Sequence, residues 1–210
     1  MKRFIFTVPI QPDGALHLSH YESGDGCELL KTERLTRFPI IIPMSKAVKK
    51  GEKINVTAIL IDRDTVPNNY RLFKEELDAL ANEIGFEYEL SEITMPNKED
   101  AVTHVDLFKA LARVFASTSD EELYACTTYG TKPMPMLLLM ALTYAYKVCT
   151  GFTVEAIVYG AFDHSAGKSR IYDVSGLFYL NSAVNNMANL ELEDPLKLID
   201  EFTVSDGGEE

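Results

Sequence analysis

Tryptophan is absent from this chain of 210 residues, and cysteine and histidine are scarce, at three and four. The cysteines, Cys27, Cys126 and Cys149, are odd in number and form no C-x-x-C pair, which argues against a disulfide framework or a zinc site and fits a reducing cytoplasm. No long apolar run occurs. The longest, residues 134–145, contains Thr143 and Tyr144 and is too short to span a bilayer, while Met1-Lys2-Arg3 leads straight into a strand-like run with no signal peptide. These absences predict a soluble, cytoplasmic protein with no membrane partner. Basic residues are in deficit, 20 Lys and Arg against 32 Asp and Glu, for a net charge of −12. A protein gripping a nucleic-acid duplex by its phosphates carries the opposite balance. The acid excess gathers around residues 75–92, 120–122 and 191–210, so a small anionic ligand in a local pocket stays open. Neither G-x-x-x-x-G-K-[ST] nor G-x-G-x-x-G occurs, nor an R-x-x-x-x-H nuclease pair or the H-x-E and P-C-x-x-C deaminase pair.

What is present is ordinary globular composition, 46% hydrophobic and 25% charged, enough for one sizeable core. Residues 3–10 (RFIFTVPI) read as a first strand, followed by a polar, Gly-rich stretch to residue 26 with a turn at Pro12-Asp13-Gly14. Residues 27–38 alternate weakly, as a hairpin arm outside the main sheet would. A short helix over 40–50, entered at Pro43 and closed by Gly51, precedes a buried strand at 53–62. Helical spacing covers 68–85, with Gly85 as the stop, and a strand nearer an edge covers 86–93. Residues 100–115 are helical, with Val105, Phe108, Leu111, Ala112 and Phe115 on one face. A strand at 122–127, a long apolar helix at 132–149, and a buried strand at 152–159 follow. The chain then reads as a polar loop at 161–171, a short return strand at 172–174 and a last helix at 177–190. This order predicts an α/β, Rossmann-like fold: a mostly parallel sheet with helices on both faces and a small β-hairpin appendage. It predicts a single ligand-sensing domain over residues 1–195, with 196–210 a tail or the start of a linker.

In such sheets ligands sit beyond the carboxyl ends of the strands, near the switch point. The loops at 9–14, 62–68 and 127–133 qualify. The last is the richest chemically. Thr127, Thr128 and Thr131 supply hydroxyls, and Gly130 permits a tight turn or close backbone approach. Lys132 adds a cation, and Pro133 suits the start of a helix. Free N–H groups and the positive end of the helix dipole make an anion site there, and Tyr129 is placed to stack on a base. The same residues also suit a plain cap on a buried helix. Asp62 and Arg63 end a strand, where they either meet a ribose hydroxyl and a phosphate or are simply solvated. His17 and His20 share a loop with Asp13 and Asp25, an arrangement read as inert rather than metal-binding. His104 reads as a solvent-facing helix residue, and His164 as a loop residue near the pocket mouth. Cys126 reads as a small buried residue, not a nucleophile. No catalytic residue, metal or cofactor is assigned.

The segment Cys126-Thr127-Thr128-Tyr129-Gly130-Thr131-Lys132-Pro133-Met134-Pro135 resembles the D-x-T-H-G-x-R-x-x-P turn of one branch of the CARF family, the Rossmann-like sensor domains of type III CRISPR systems. Thr128, Gly130 and Pro135 match. Lys132 keeps the charge of the arginine but not its fork geometry, while Tyr129 and Cys126 replace the histidine and aspartate. Tyr159-Gly160-Ala161 and then Ile171-Tyr172-Asp173-Val174-Ser175-Gly176-Leu177 resemble two further family segments, Y-G-A and P-I-Y-D-L-T-x-L. The likeness covers about one third of the chain. It implies a homodimer that binds cyclic oligoadenylate, a ring of four or six AMP units, across its two-fold axis and controls an antiviral effector allosterically. Each subunit is then expected to contribute Pro9, Ile10 and Gln11 from the first loop and residues 127–133 from the other. A covalently attached output domain beyond residue 210 is compatible with this. So are two alternatives: a metal-independent ring nuclease that ends the signal, and an unrelated Rossmann-like nucleotide-binding regulator.

Overall fold

The computed structural model describes residues 1–163 and 168–187. The chain divides into two compact units, Met1–Val174 and Ser175–Glu210.

In the first unit, β1 (Lys2–Thr7) lies between β4 (Lys53–Ile61) and β6 (Glu122–Cys126) and is parallel to both. Beyond β4 comes β5 (Glu87–Met95), parallel, as the edge strand. Beyond β6 comes β7 (Thr153–Asp163), also parallel. Next are β8 (Lys168–Asp173), antiparallel to β7, then β2 (Ser19–Ser23) and β3 (Leu35–Thr36). The sheet order is β3-β2-β8-β7-β6-β1-β4-β5. The expected Rossmann-like α/β sheet is therefore present, with two differences of detail. The arm expected over 27–38 outside the sheet supplies only the two-residue β3, which forms the second edge, and its partner β2 comes from the stretch expected to be a polar loop and pairs in parallel with β8. The expected polar loop at 161–171 is mostly strand, because β7 runs on to Asp163 and pairs back onto β8.

Side chains along β1 alternate between two buried layers. Phe4, Phe6 and Val8 join Val56, Ala58, Tyr124 and Cys126 in one core. Helices α1 (Ile41–Ala47) and α2 (Val66–Ile84) fill that side through Ile41, Met44, Phe73, Leu77 and Leu80. Ile5, Ile59, Leu123 and Ala125 are buried outside that cluster. Alternation places them on the opposite face, served by α3 (Ala101–Ala116) and α4 (Met134–Val148), which pack on each other. Gly85 ends α2 in the left-handed conformation, as its position suggested.

The stripe that α3 buries is rotated from the expected one. Thr103, Leu107, Leu111 and Phe115 are buried at i, i+4 spacing, while Val105 is exposed. Phe108 borders the stripe and meets Tyr144 of α4 edge to face at 6.0 Å. Asp100 caps α3, its carboxylate accepting from the Thr103 N–H at 2.8 Å. That N–H holds the Asp100 carboxyl below its ordinary value. A depressed carboxyl stabilises the fold above its unfolded pKa and ceases to do so as pH falls through the folded one. Asp100→Ala will therefore lower the melting midpoint at about pH 7 and lower it progressively less in acid, as pH falls below the ordinary carboxylate value of about 3.9 and through the lowered pKa of the cap. A gap of equal size at neutral and acid pH would show that the charge does not carry the cap.

In the second unit, α5 (Ser175–Met187) is the described element. The last turn expected of it at 188–190 and the expected tail at 196–210 lie outside the described residues, as does His164. No described helix is long and apolar enough to cross a membrane.

Candidate functional site

β1 is flanked by β4 on one side and β6 on the other; the chain leaves β1 for β2, far along the sheet, and leaves β6 for α4, so the loops after β1 and β6 part from neighbouring strand ends. This is the switch point of the sheet. It brings together Pro9, Ile10 and Gln11 with Thr127, Thr128, Tyr129, Gly130, Thr131, Lys132 and Pro133. Asp62 and Arg63 stand one strand further out, after β4. Arg63 donates through Nε to Asn97 Oδ1 at 2.8 Å, on the side of β5 rather than β6, and the Asp62 N–H goes to Met95 O at 2.9 Å.

The β6 loop is built on hydrogen bonds to β7. The Thr127 N–H donates to Val158 O at 2.9 Å, and the Gly160 N–H donates to Thr128 Oγ1 at 2.7 Å. A Cβ on Gly160 would lie 2.6 Å from Pro39 Cγ and 3.2 Å from both Thr128 Oγ1 and Tyr21 Cε1. Gly160 is thus the residue that lets the loop close onto β7. Two of the three segments singled out in the sequence are in direct contact here. The third, at Asp173, donates its N–H to Asp25 Oδ2 at 2.8 Å and ties β8 to the end of β2.

Gly130 has φ +107°, and the chain turns there into α4. Pro133 is the N-cap residue of α4, whose first turn is closed by Thr131 O and Pro133 O. The N–H groups of Tyr129, Gly130, Thr131 and Lys132 have no protein acceptor among the described residues, and neither do those of Ile10 and Gln11. Lys132 is exposed and makes no ion pair among the described residues. Thr131 Oγ1 and Gln11 Oε1 are buried without a partner among the described residues, one on each loop. Buried polar atoms are normally satisfied, which sets these two apart from most of the core.

Tyr129 is placed otherwise than a base-stacking role requires. It is only 6% exposed, and its hydroxyl donates to Arg37 O at 2.8 Å. Arg37 is paired in turn with Glu76 of α2 at 2.9 Å. Burial pushes the Tyr129 phenol well above its ordinary value, so it stays neutral. Its ring lies tilted beside Phe162, 6.3 Å between centroids, and holds the loop down instead of offering a free face. Cys126 is buried, and burial raises its thiol, which leaves no thiolate for nucleophilic chemistry. Of the histidines, His17 and His20 are exposed, His20 beside Thr32 O at 2.9 Å, and His104 pairs with Glu99 at 3.1 Å. Among the described residues no three His, Cys, Asp or Glu side chains gather as a metal site would need. Two surface grooves, of about 600 and 310 Å³, lie elsewhere, one by Arg34, Lys46 and Glu83, the other by His20, Glu22 and Lys168.

Two residues behind the β1 loop had no part in the expected site. Asn69 is 1% exposed, and its Nδ2 donates at 2.9 Å to both Pro9 O and Gln11 O. Thr65 Oγ1 donates to Ile10 O at 3.1 Å. The signal was available: Asn69 is an amide within the otherwise apolar stripe Val66, Tyr70, Phe73, Leu77 and Leu80 of α2.

Together these features define a Rossmann-like α/β protein whose switch point carries one exposed lysine and a run of backbone N–H groups without protein acceptors among the described residues. No family model matches this sequence, and no curated protein matches it.

Proposed function

We propose that the protein is a CARF-type sensor that binds a cyclic oligoadenylate at the switch point of a homodimer and passes the binding event to an antiviral effector. The observation that carries this reading is the pairing of two loops at adjacent strand ends. Their N–H groups at Ile10, Gln11 and residues 129–132 lack protein acceptors. A polyphosphate ring supplies acceptors of that kind in series, and a two-fold ring suits two copies of one loop set. The resemblance at Thr128, Gly130, Lys132, Gly160 and Asp173 points to the same ligand class. A second copy has an apolar stripe to cover, since Met136 and Met140, four residues apart on α4, are 69% and 56% exposed.

Lys132 is the exposed cation of the site. Lys132→Ala is expected to weaken binding of labelled cyclic tetra- or hexa-adenylate about tenfold, the loss of one charge-assisted contact, without changing the oligomeric state. Equilibrium binding and light scattering read the two quantities. Unchanged affinity in Lys132→Ala would remove this loop from the ligand site. Retention of an intact ring supports a sensor, whereas linear product at many turnovers assigns a ring nuclease. Failure of both rings beside tight binding of a dinucleotide would replace the reading with an unrelated nucleotide-binding regulator.

A further inference from the structure

The loop after β1 is held from behind with unusual completeness. Three successive carbonyls, those of Pro9, Ile10 and Gln11, accept from Asn69 Nδ2 (2.9 Å), Thr65 Oγ1 (3.1 Å) and Asn69 Nδ2 again (2.9 Å). Both amide protons of one buried side chain are thereby committed to the backbone of this loop. The consequence follows from the peptide unit. In a planar trans peptide the C=O and the next N–H point in opposite directions. Tying Pro9 O and Ile10 O toward α2 turns the N–H groups of Ile10 and Gln11 away from α2, and these two have no protein acceptor among the described residues. The third carbonyl precedes Pro12, which has no N–H to present. Every donor this stretch possesses is therefore aimed outward by side chains on the far side of the loop.

We infer that Asn69 is a positioning residue for the ligand site, acting through the loop at Pro9, Ile10 and Gln11 and touching no ligand itself. This rests on the reading of that loop as half of an oligoadenylate site. A plain structural role for Asn69 makes a different prediction: stability falls and ligand affinity does not. Asparagine is the side chain suited to the task. Leucine has similar bulk and no donor, serine has one donor, and aspartate would oppose two carbonyls with a charge.

The test compares Asn69→Leu, Asn69→Ser and a control, Leu77→Ala, in which a buried apolar residue of the same helix is cut back without touching the loop. Affinity for cyclic tetra- and hexa-adenylate is measured at a temperature where circular dichroism shows each variant folded. Asn69→Leu is expected to lose about tenfold or more, Asn69→Ser to fall between it and the wild type, and Leu77→Ala to bind as the wild type despite a lower melting midpoint. Wild-type affinity in Asn69→Leu overturns the inference. So does a loss in Leu77→Ala equal to that in Asn69→Leu. A second arm needs no ligand: in amide ¹H–¹⁵N spectra of the free protein, the Ile10 and Gln11 signals are expected to shift and broaden in Asn69→Leu. Unchanged signals overturn the inference. If the wild type binds neither ring, the functional reading fails, and these amide signals alone decide whether Asn69 sets the loop.

Discussion

Glu121→Ala is expected to destabilise the protein by about 3–5 kcal/mol, the range for removing one partner of a buried ion pair. Glu121 is 2% exposed and Arg3 5%. The guanidinium of Arg3 grips the carboxylate in a fork, Nε to Oε2 at 2.6 Å and Nη2 to Oε1 at 2.9 Å. Asn55 Nδ2 donates to Oε1 at 2.6 Å and Thr118 Oγ1 to Oε2 at 3.2 Å, while Arg3 Nη1 reaches Thr57 Oγ1 at 3.0 Å. Truncating the carboxylate leaves the buried Arg3 cation without its counter-charge and the buried Asn55 amide without its oxygen acceptor, and that desolvation cost is why the effect exceeds the value of the pair. The same asymmetry predicts that Arg3→Met combined with Glu121→Leu will recover most of the loss. Urea unfolding measures both variants. A loss under about 1 kcal/mol in Glu121→Ala would show that the cluster is solvated instead of buried. The network lies beside the amino ends of β1 and β6, opposite the ligand loops, so ring affinity at a temperature where the variant is folded should be unaffected.

Gly130→Ala is the substitution expected to damage binding most. The residue has φ +107°, and an added Cβ would meet Met134 Cγ at 3.0 Å, Met134 Cβ at 3.1 Å and Thr7 Cγ2 at 3.1 Å. Both neighbours are 2% exposed and lie in packed layers, so neither yields freely. Backbone strain of about 1–3 kcal/mol is expected. The loop will relieve part of it by lifting away from β1, which displaces the N–H groups of residues 129–132. Misplacing a set of fixed donors is expected to cost about a hundredfold in affinity for the ring. Gly51→Ala separates strain from site damage: Gly51 has φ +80° and open space around its Cβ position, so it should lose stability and keep affinity. Full affinity in Gly130→Ala would mean that the ligand does not engage this turn.

Much of the architecture was legible because its signals are local. The apolar run at β4, the 3.6-residue spacing of α2 with Gly85 at its end, and the glycine turn between β6 and α4 each depend on residues close in sequence. So does the candidate loop, whose Gly130 and following prolines announce a turn into a helix. The place of β2 was not legible. Its sequence, Ser-His-Tyr-Glu-Ser, carries no apolar alternation, and its partner β8 lies at the other end of the unit. On α3 two overlapping stripes both read as apolar, and packing on α4 and β5 selected the one through Leu107 over the one through Val105.

At the site the division is the same. The sequence by itself determined that a strand hands over to a helix at residues 127–133, and that hydroxyls, a glycine and a lysine stand there, because composition and turn chemistry are properties of a short segment. Tertiary structure alone decided what each side chain does. Tyr129 became an anchor because Arg37, 92 residues away, offers its carbonyl. Asn69 became the support of the first loop because α2 passes behind Pro9 and Gln11. Glu121, one acid in an acid-rich stretch, became a core residue because β1 brings Arg3 against it. A polar side chain takes its role from the partners that satisfy it, and those partners are set by how the strands are ordered in the sheet.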